Sequence, residues 1–431
     1  MIQKAQHLLR VFLFILLLPF HVFSQDDRTK GWSADIDTLL VLMKREHYIY
    51  RSKPLPEKLL TDAAALKKKI SQFSDERMLL ELERLMFYMH DGHSYILPVA
   101  MNVKTVYLPI QFYLFSDGAY IIDADDPYKK FIGCEVLSIH GIPVTKLVDD
   151  MNGYVHQDNK YTVRWFAPSI LRFRGLYEWY GNAAGANNID MELKERNGKK
   201  IPAKISFIPA TNFHGIPKLM ASRLDNAPPV PLYLSRVEDN FWYKTIQEKK
   251  VFYFQFNQVE DQHDRTIASF SLKLDSALHA GKYNLFVIDV RHNNGGNLTL
   301  LPPLVEVIKR FERENPSSKI IVITGRNTFS AAQVFIAQLN YQTHALFAGE
   351  PSSSSPNFVG EGNYIRLPYS GAMGSISNKY HETIPGDHRK WIEPDYPISL
   401  SAAMYFQNRD PVMEYILQKD LPAPKNNSSH Q

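Results

Sequence analysis

The chain has 431 residues, 45% of them hydrophobic and 22% charged, which excludes a disordered or fibrous polypeptide and leaves room for about two or three domains. A formal charge of +4 is too near neutral to suggest a nucleic-acid partner. The single cysteine, Cys134, excludes an intramolecular disulfide, so stability must come from packing.

At the N-terminus, Lys4 and Arg10 flank the start of an apolar block, Val11 to Leu18, and Val22-Phe23-Ser24 places small residues where cleavage needs them. This pattern predicts a secretory signal peptide over residues 1–24. The block is far shorter than the roughly 20 residues needed to span a bilayer, so no stable membrane anchor is expected. Cleavage after Ser24 removes two basic residues and lowers the charge from +4 to +2. A periplasmic or extracellular protein is the expectation.

Trp32 to Met89 reads as helical and forms the bulk of an N-terminal helical domain, residues 25–100. Ser33 is the expected cap of a stretch whose apolar positions Ile36, Leu39, Leu40 and Met43 recur at helical spacing. Ser74, Asp75 and Glu76 open a second helix that should stop at Asp91-Gly92, leaving His93 on a turn. From residue 101 to 226 the pattern changes to short strands: LPIQFYLF, GAYIID, CEVLSI and KISFI. The segment IGCEVLSIHGIPVTKLVDDM reads as a hairpin leading into an amphipathic segment and resembles the PDZ-like fold, in which a peptide adds to an open sheet edge. Cys134 lies inside it, in an apolar setting that suits a structural thiol better than a nucleophile.

After the connector Pro228 to Pro231, residues 227–420 alternate strand and helix: VFYFQF, helix Thr266 to His279, LFVID, helix Leu304 to Phe311, IIVIT, helix Ser330 to Leu339, ALFAG. Such alternation implies an α/β fold of parallel strands joined by helical crossovers, with the active site at the strands' carboxyl ends. Two turns follow such ends. In VIDVRHNNGGN, paired glycines let backbone N–H groups approach a ligand, the requirement for an oxyanion hole. In ITGRNTFSAAQVF, Ser330 stands at a strand-to-helix junction, where nucleophiles are commonly exposed. Residues 421–431 form a polar tail. Fifteen histidines without an HExxH, beside one cysteine, give no metal-site pattern.

Taken together, DVRHNNGG, TFSAAQ, GEPSSSSPN with VGE following, and IEPDYPISL with RDPVMEYIL resemble, in order, the C-terminal processing (tail-specific) serine peptidase family. The resemblance implies a ClpP/crotonase-like core, a PDZ-like domain, a polypeptide substrate and hydrolysis without a cofactor. Ser330 is the matching nucleophile. Many members pair it with a lysine about twenty-five residues later, but Ser355 stands near that position here and Lys379 lies outside the motif. The departure points to a second branch, resembling the tricorn core protease and the chlamydial protease, in which a histidine from the N-terminal helical region is the base. MHDGHS supplies His93, ahead of His90 and His292. A neutral imidazole can take the serine proton and return it to the leaving amine. Glu393 in WIEPDYP is the favoured orienting acid, with Glu361 in FVGEGN as the alternative. Gly296 and Ala331 are the expected oxyanion donors, Gly295 keeps that turn free of side chains, and Asp289 with Arg291 reads as an ion pair positioning it. Together with the signal peptide, the resemblance implies an exported serine endopeptidase acting by acyl transfer, with C-terminal or extended-strand recognition as the expectation. Two alternatives use the same fold: a non-catalytic carrier, as interphotoreceptor retinoid-binding protein resembles this family's core, and a hydrolase of non-peptide esters.

Overall fold

The N-terminal helices form because their apolar residues fall on single stripes. In the computed structural model, which describes residues 25–418 apart from 182, 211–218, 220–228 and 263, they are α1 (Gln25–Glu46), α2 (Glu57–Lys67) and α3 (Asp75–Met86). The expected signal peptide, Pro228 and the polar tail lie outside the described residues. Trp32, Ile36, Leu39 and Met43 are fully buried along one face of α1. That helix runs through Ser33 rather than starting there. Trp32 Nε1 and Arg28 both donate to Asp75, so tertiary contacts extend the helix beyond the cap that propensity alone suggests. Ser74 does cap α3, accepting the Arg77 N–H at 3.0 Å. Among the described residues, no helix is long and apolar enough to cross a membrane.

After α3, strand β1 (Tyr95–Ala100) leads to an antiparallel sheet of β2 (Ile110–Phe115), β3 (Gly118–Ala124), β4 (Glu135–Ile139), β5 (Asn188–Lys194) and β6 (Lys200–Ser206), paired in that order. Its apolar face packs on α4 (Val144–Met151) and α5 (Lys160–Ile170) through Phe112, Ile121, Val136, Leu147 and Val163. Cys134 is buried there and unpaired.

The rest is a mixed α/β layer. Strands β7 (Phe241–Ile246), β8 (Val251–Phe256), β9 (Leu285–Asp289), β10 (Lys319–Thr324), β11 (Leu346–Gly349) and β14 (Tyr396–Pro397) form one sheet in the order β7-β8-β9-β10-β11-β14. All neighbours except β7 and β8 run parallel. Every residue of β8 and β9 is buried, because helices cover one face and a C-terminal helix, Pro411–Ile416, covers the other. The covering helices are α6 (Ile267–His279), α7 (Pro302–Glu314) and α8 (Ala331–Gln342). Phe254, Phe286 and Phe335 are fully buried in this layer, each worth about 1.5–3 kcal/mol of transfer free energy. A hairpin of β12 (Phe358–Arg366) and β13 (Ala372–His381) leaves the layer, and β1 pairs antiparallel with β13. That pairing carries the turn after α3 toward the core.

Candidate active site

Strands β9 and β10 are parallel neighbours, so the loops at their carboxyl ends emerge side by side. Several hydrogen bonds join the two loops. Thr328 Oγ1 donates to the Val290 carbonyl at 3.0 Å, and the Phe329 N–H donates to the Asn293 carbonyl at 3.1 Å. Fully buried Asn293 donates through Nδ2 to the Phe256 carbonyl and accepts the Gly295 N–H, each at 3.0 Å. Arg291 pairs with Asp289 at 2.9 Å and bidentately with Asp410 at 3.0 Å, so the expected ion pair has a second acid.

Ser330 precedes α8 with φ 55° and ψ −124°, and its side chain makes no capping hydrogen bond. A non-glycine residue held there is strained, a condition found where a side chain must be presented at a sharp strand-to-helix turn. Gly295 and Gly296, with φ 109° and 132°, occupy conformations that side chains rarely adopt. Space is also short. A Cβ on Gly295 would lie 2.7 Å from Ser330 Cβ and 2.9 Å from the Ala331 nitrogen, and one on Gly296 would lie 2.2 Å from the Val259 carbonyl oxygen. The Gly295 N–H is committed to Asn293, whereas no hydrogen bond from the Gly296 or Ala331 N–H is found among the described residues.

His93 arrives on the turn after α3. His90 adopts a left-handed conformation that ends the helix, and Asp91 gathers the chain beyond it. The Asp91 carboxylate is buried and accepts from the N–H groups of His93 and Ser94 and from the hydroxyls of Ser94 and Ser377. His47 Nε2, fully buried at the end of α1, lies 3.0 Å from it. Burial alone would raise this carboxyl, but hydrogen bonds from His47, Ser377 and Ser94 hold it below the usual carboxylate range. A second buried acid, Asp158, accepts the Gly92 N–H at 2.9 Å and the Ser354 hydroxyl at 2.6 Å. Burial, with the Asp91 charge adding to it, pushes Asp158 up to about 7.

The His93 imidazole stacks on Phe329, the residue before Ser330, with ring centroids 4.2 Å apart, and on Phe358 at 5.2 Å. Both ring nitrogens are buried and, among the described residues, carry no hydrogen bond. Burial lowers the imidazole to about 4, with His381 and His156 pushing the same way and Asp91 and Glu361 opposing. Such a ring is neutral at pH 7, the protonation state a general base requires.

The structure therefore brings Ser330, Gly295, Gly296, Ala331 and His93 to one region, but hydrogen-bonds neither expected acid to the imidazole. Exposed Glu393 accepts from Trp391 Nε1 at 2.6 Å. Glu361 lies 3.0 Å from Lys379 Nζ and 3.5 Å from His381 Nε2. A sequence interval that suits the His/Glu branch does not fix the direction of a surface side chain. His292 stands apart, bonded to the Tyr233 carbonyl, and His90 is exposed. Ser352 to Ser355, which span the expected lysine position, are all buried. Asp158, Phe329 and Phe358 carry no local mark in the sequence, and Asp91, inside MHDGHS, reads there only as a helix stop.

No known protein-family pattern matches the sequence, and a search of curated proteins finds no match. Solved structures do match. Mature CPAF complexed with lactacystin is 14% identical, with 90% of this chain and 97% of that chain covered and a TM-score of 0.61. A CPAF mutant is 12% identical over 90% of this chain and 96% of that one, with a TM-score of 0.62. The fold is similar to that of CPAF. At such identity the likeness concerns the arrangement of helices and sheets, and the chemistry must be argued from the residues themselves.

Proposed function

We propose that this chain is an exported serine peptidase that cleaves polypeptides by acyl transfer at Ser330, with His93 as general base. The observation that carries the reading is the stacking of His93 on Phe329. It sets a neutral imidazole from one end of the chain beside the strained turn that presents a hydroxyl from the other. In this mechanism the imidazole takes the Ser330 proton as Oγ attacks the scissile carbonyl. The Gly296 and Ala331 N–H groups receive the developing oxyanion, a contribution of about 2.7–4 kcal/mol per donor. The imidazolium then protonates the leaving amine, and water releases the acyl group by the reverse sequence. Glu393 and Glu361 are the carboxylates that the family resemblance offers for a third member. The antiparallel sheet of β2 to β6, read as PDZ-like, would hold an extended substrate strand or its C-terminus.

A fluorophosphonate probe tests this reading on the chain from residue 25 onward. Labelling should occur in the wild type, vanish in Ser330→Ala and fall sharply in His93→Ala. It should persist in Lys379→Ala, since that lysine is half-exposed and ion-paired with Glu361. A folded wild type that stays unlabelled would favour a carrier.

A further inference from the structure

We propose that Phe329 and Phe358 are the positioning residues of His93: two phenyl rings clamp the imidazole face to face and orient it for Ser330, a task that a hydrogen-bonded carboxylate performs in a Ser/His/acid triad. The inference rests on the assignment of Ser330 and His93 above and deepens it.

Four observations carry it. The imidazole is nearly parallel to both rings, with interplanar angles of 22° to Phe329 and 6° to Phe358. Among the described residues neither imidazole nitrogen is hydrogen-bonded, so no acid among them fixes the ring's rotation. The clamp is itself braced: Phe358 stacks on His381 at 5.1 Å on the other hairpin strand, and Phe329 packs on Trp165 of α5 at 5.3 Å. Glycines stand where a side chain would invade the stack. A Cβ on Gly360 would lie 2.6 Å from the Phe358 ring and 3.3 Å from His93 Cε1, and one on Gly92 would lie 2.9 Å from the Phe329 ring.

A ring held between two apolar faces loses hydration on both, which disfavours its charged form. The charged and titratable groups acting on it are Asp91 from its own turn, Glu361 from β12, His381 from β13, and His156 from the segment before α5. None of them is hydrogen-bonded to it. The clamp therefore has two signatures, a fixed imidazole and a depressed titration, and one substitution should relax both.

The test combines histidine NMR with the pH dependence of fluorophosphonate labelling, in the wild type, Phe358→Leu and Phe358→Tyr. In the wild type the His93 Hε1 resonance should be displaced upfield by the flanking rings and titrate near pH 4. In Phe358→Leu the displacement should shrink and the titration rise toward 6.5, while labelling slows by about tenfold to a hundredfold through lost orientation. Phe358→Tyr keeps a stacking ring and should restore both. Should Phe358→Leu fail to fold, Phe329→Leu replaces it. An undisplaced wild-type resonance, or a leucine variant with unchanged titration and labelling, overturns the proposal. A wild type that shows the displaced resonance but no labelling overturns the peptidase reading instead, because the NMR arm does not depend on catalysis.

Discussion

Asp158 Oδ1 accepts the Gly92 N–H at 2.9 Å, so a carboxyl from the segment before α5 holds the residue next to His93. Its other oxygen takes the Ser354 hydroxyl, tying the histidine turn to the buried serine loop. The folded value, about 7, is raised above the ordinary 3.8. A raised acid contributes stability that is full below the unfolded value and lost as pH climbs through the folded one, here between about 4 and 7. His93 has the opposite sign: depressed from 6.5 to about 4, its contribution is present above 6.5 and lost as pH falls through 4. Replacing Asp158 with Asn keeps an acceptor for Gly92 but turns the contact to Ser354 into one in which the amide donates, a change independent of pH, so the pH-dependent part of the difference isolates the acid's share. Relative to wild type, Asp158→Asn should gain of order 3 kcal/mol in unfolding free energy between pH 4 and pH 8, measured by urea denaturation. A variant-minus-wild-type difference that is equal at both pH values would sink the assignment.

Asp91 is the other buried carboxyl, and its prediction runs the other way. His47, Ser94 and Ser377 converge on it from α1, its own turn and β13. Asp91→Ala should destabilise the protein by about 3–5 kcal/mol, since removing one partner leaves several buried polar groups without their bonds. Because its folded value is lowered, the contribution should be full above the ordinary carboxylate value and disappear as pH falls through the folded one. The gap between the denaturation midpoints of wild type and variant should therefore narrow in acid. Persistence of the full gap at pH 2 would contradict the role of the ionised form.

How far the sequence foretold this depended on how local each feature was. The runs VFYFQF, LFVID and IIVIT announce buried strands because each is apolar along its whole length, and the intervening helices announce a parallel sheet. Ser330 was legible from its strand, its glycine and the two alanines after it. The pairing of β1 with β13 was not, since Tyr95 and Ser375 meet across most of the chain and neither carries a local mark of the other. Asp91 read as a helix stop because its partners His47 and Ser377 are distant in sequence. Phe329 and Phe358 read as ordinary apolar residues, and only folding shows an imidazole between them.

Gly295 lies against the proposed nucleophile, which makes it a sharp probe of the site. A methyl group there would sit 2.7 Å from Ser330 Cβ and 2.9 Å from the Ala331 nitrogen, on a backbone with φ 109°. Gly295→Ala should cost about 1–3 kcal/mol through that strained conformation. Displacing Ser330 and the Ala331 donor together should also reduce fluorophosphonate labelling by about a hundredfold. Gly141→Ala is the control: it too has positive φ, 73°, but nothing lies within 4 Å of its Cβ. Its stability should fall without loss of labelling. Equal labelling of the two variants would show that Gly295 matters only as a turn residue.

The two glutamates provide the last test, because the clamp and a hydrogen-bonded acid predict different magnitudes. A Ser/His/Asp triad loses about 10⁴-fold when its acid is replaced by the amide, since the imidazole then takes the wrong tautomer. Here Glu393 is bonded to Trp391, and Glu361 acts on His93 only through its charge while paired with Lys379. Glu393→Gln and Glu361→Gln should each slow labelling by less than about tenfold, far less than His93→Ala. Of the two, Glu361→Gln should lower the His93 titration further, because the carboxylate it removes opposes the loss of the imidazole proton. A loss of about 10³-fold or more in Glu393→Gln would mean that a carboxylate orients the working imidazole, and the phenyl clamp would then describe only how the ring is packed.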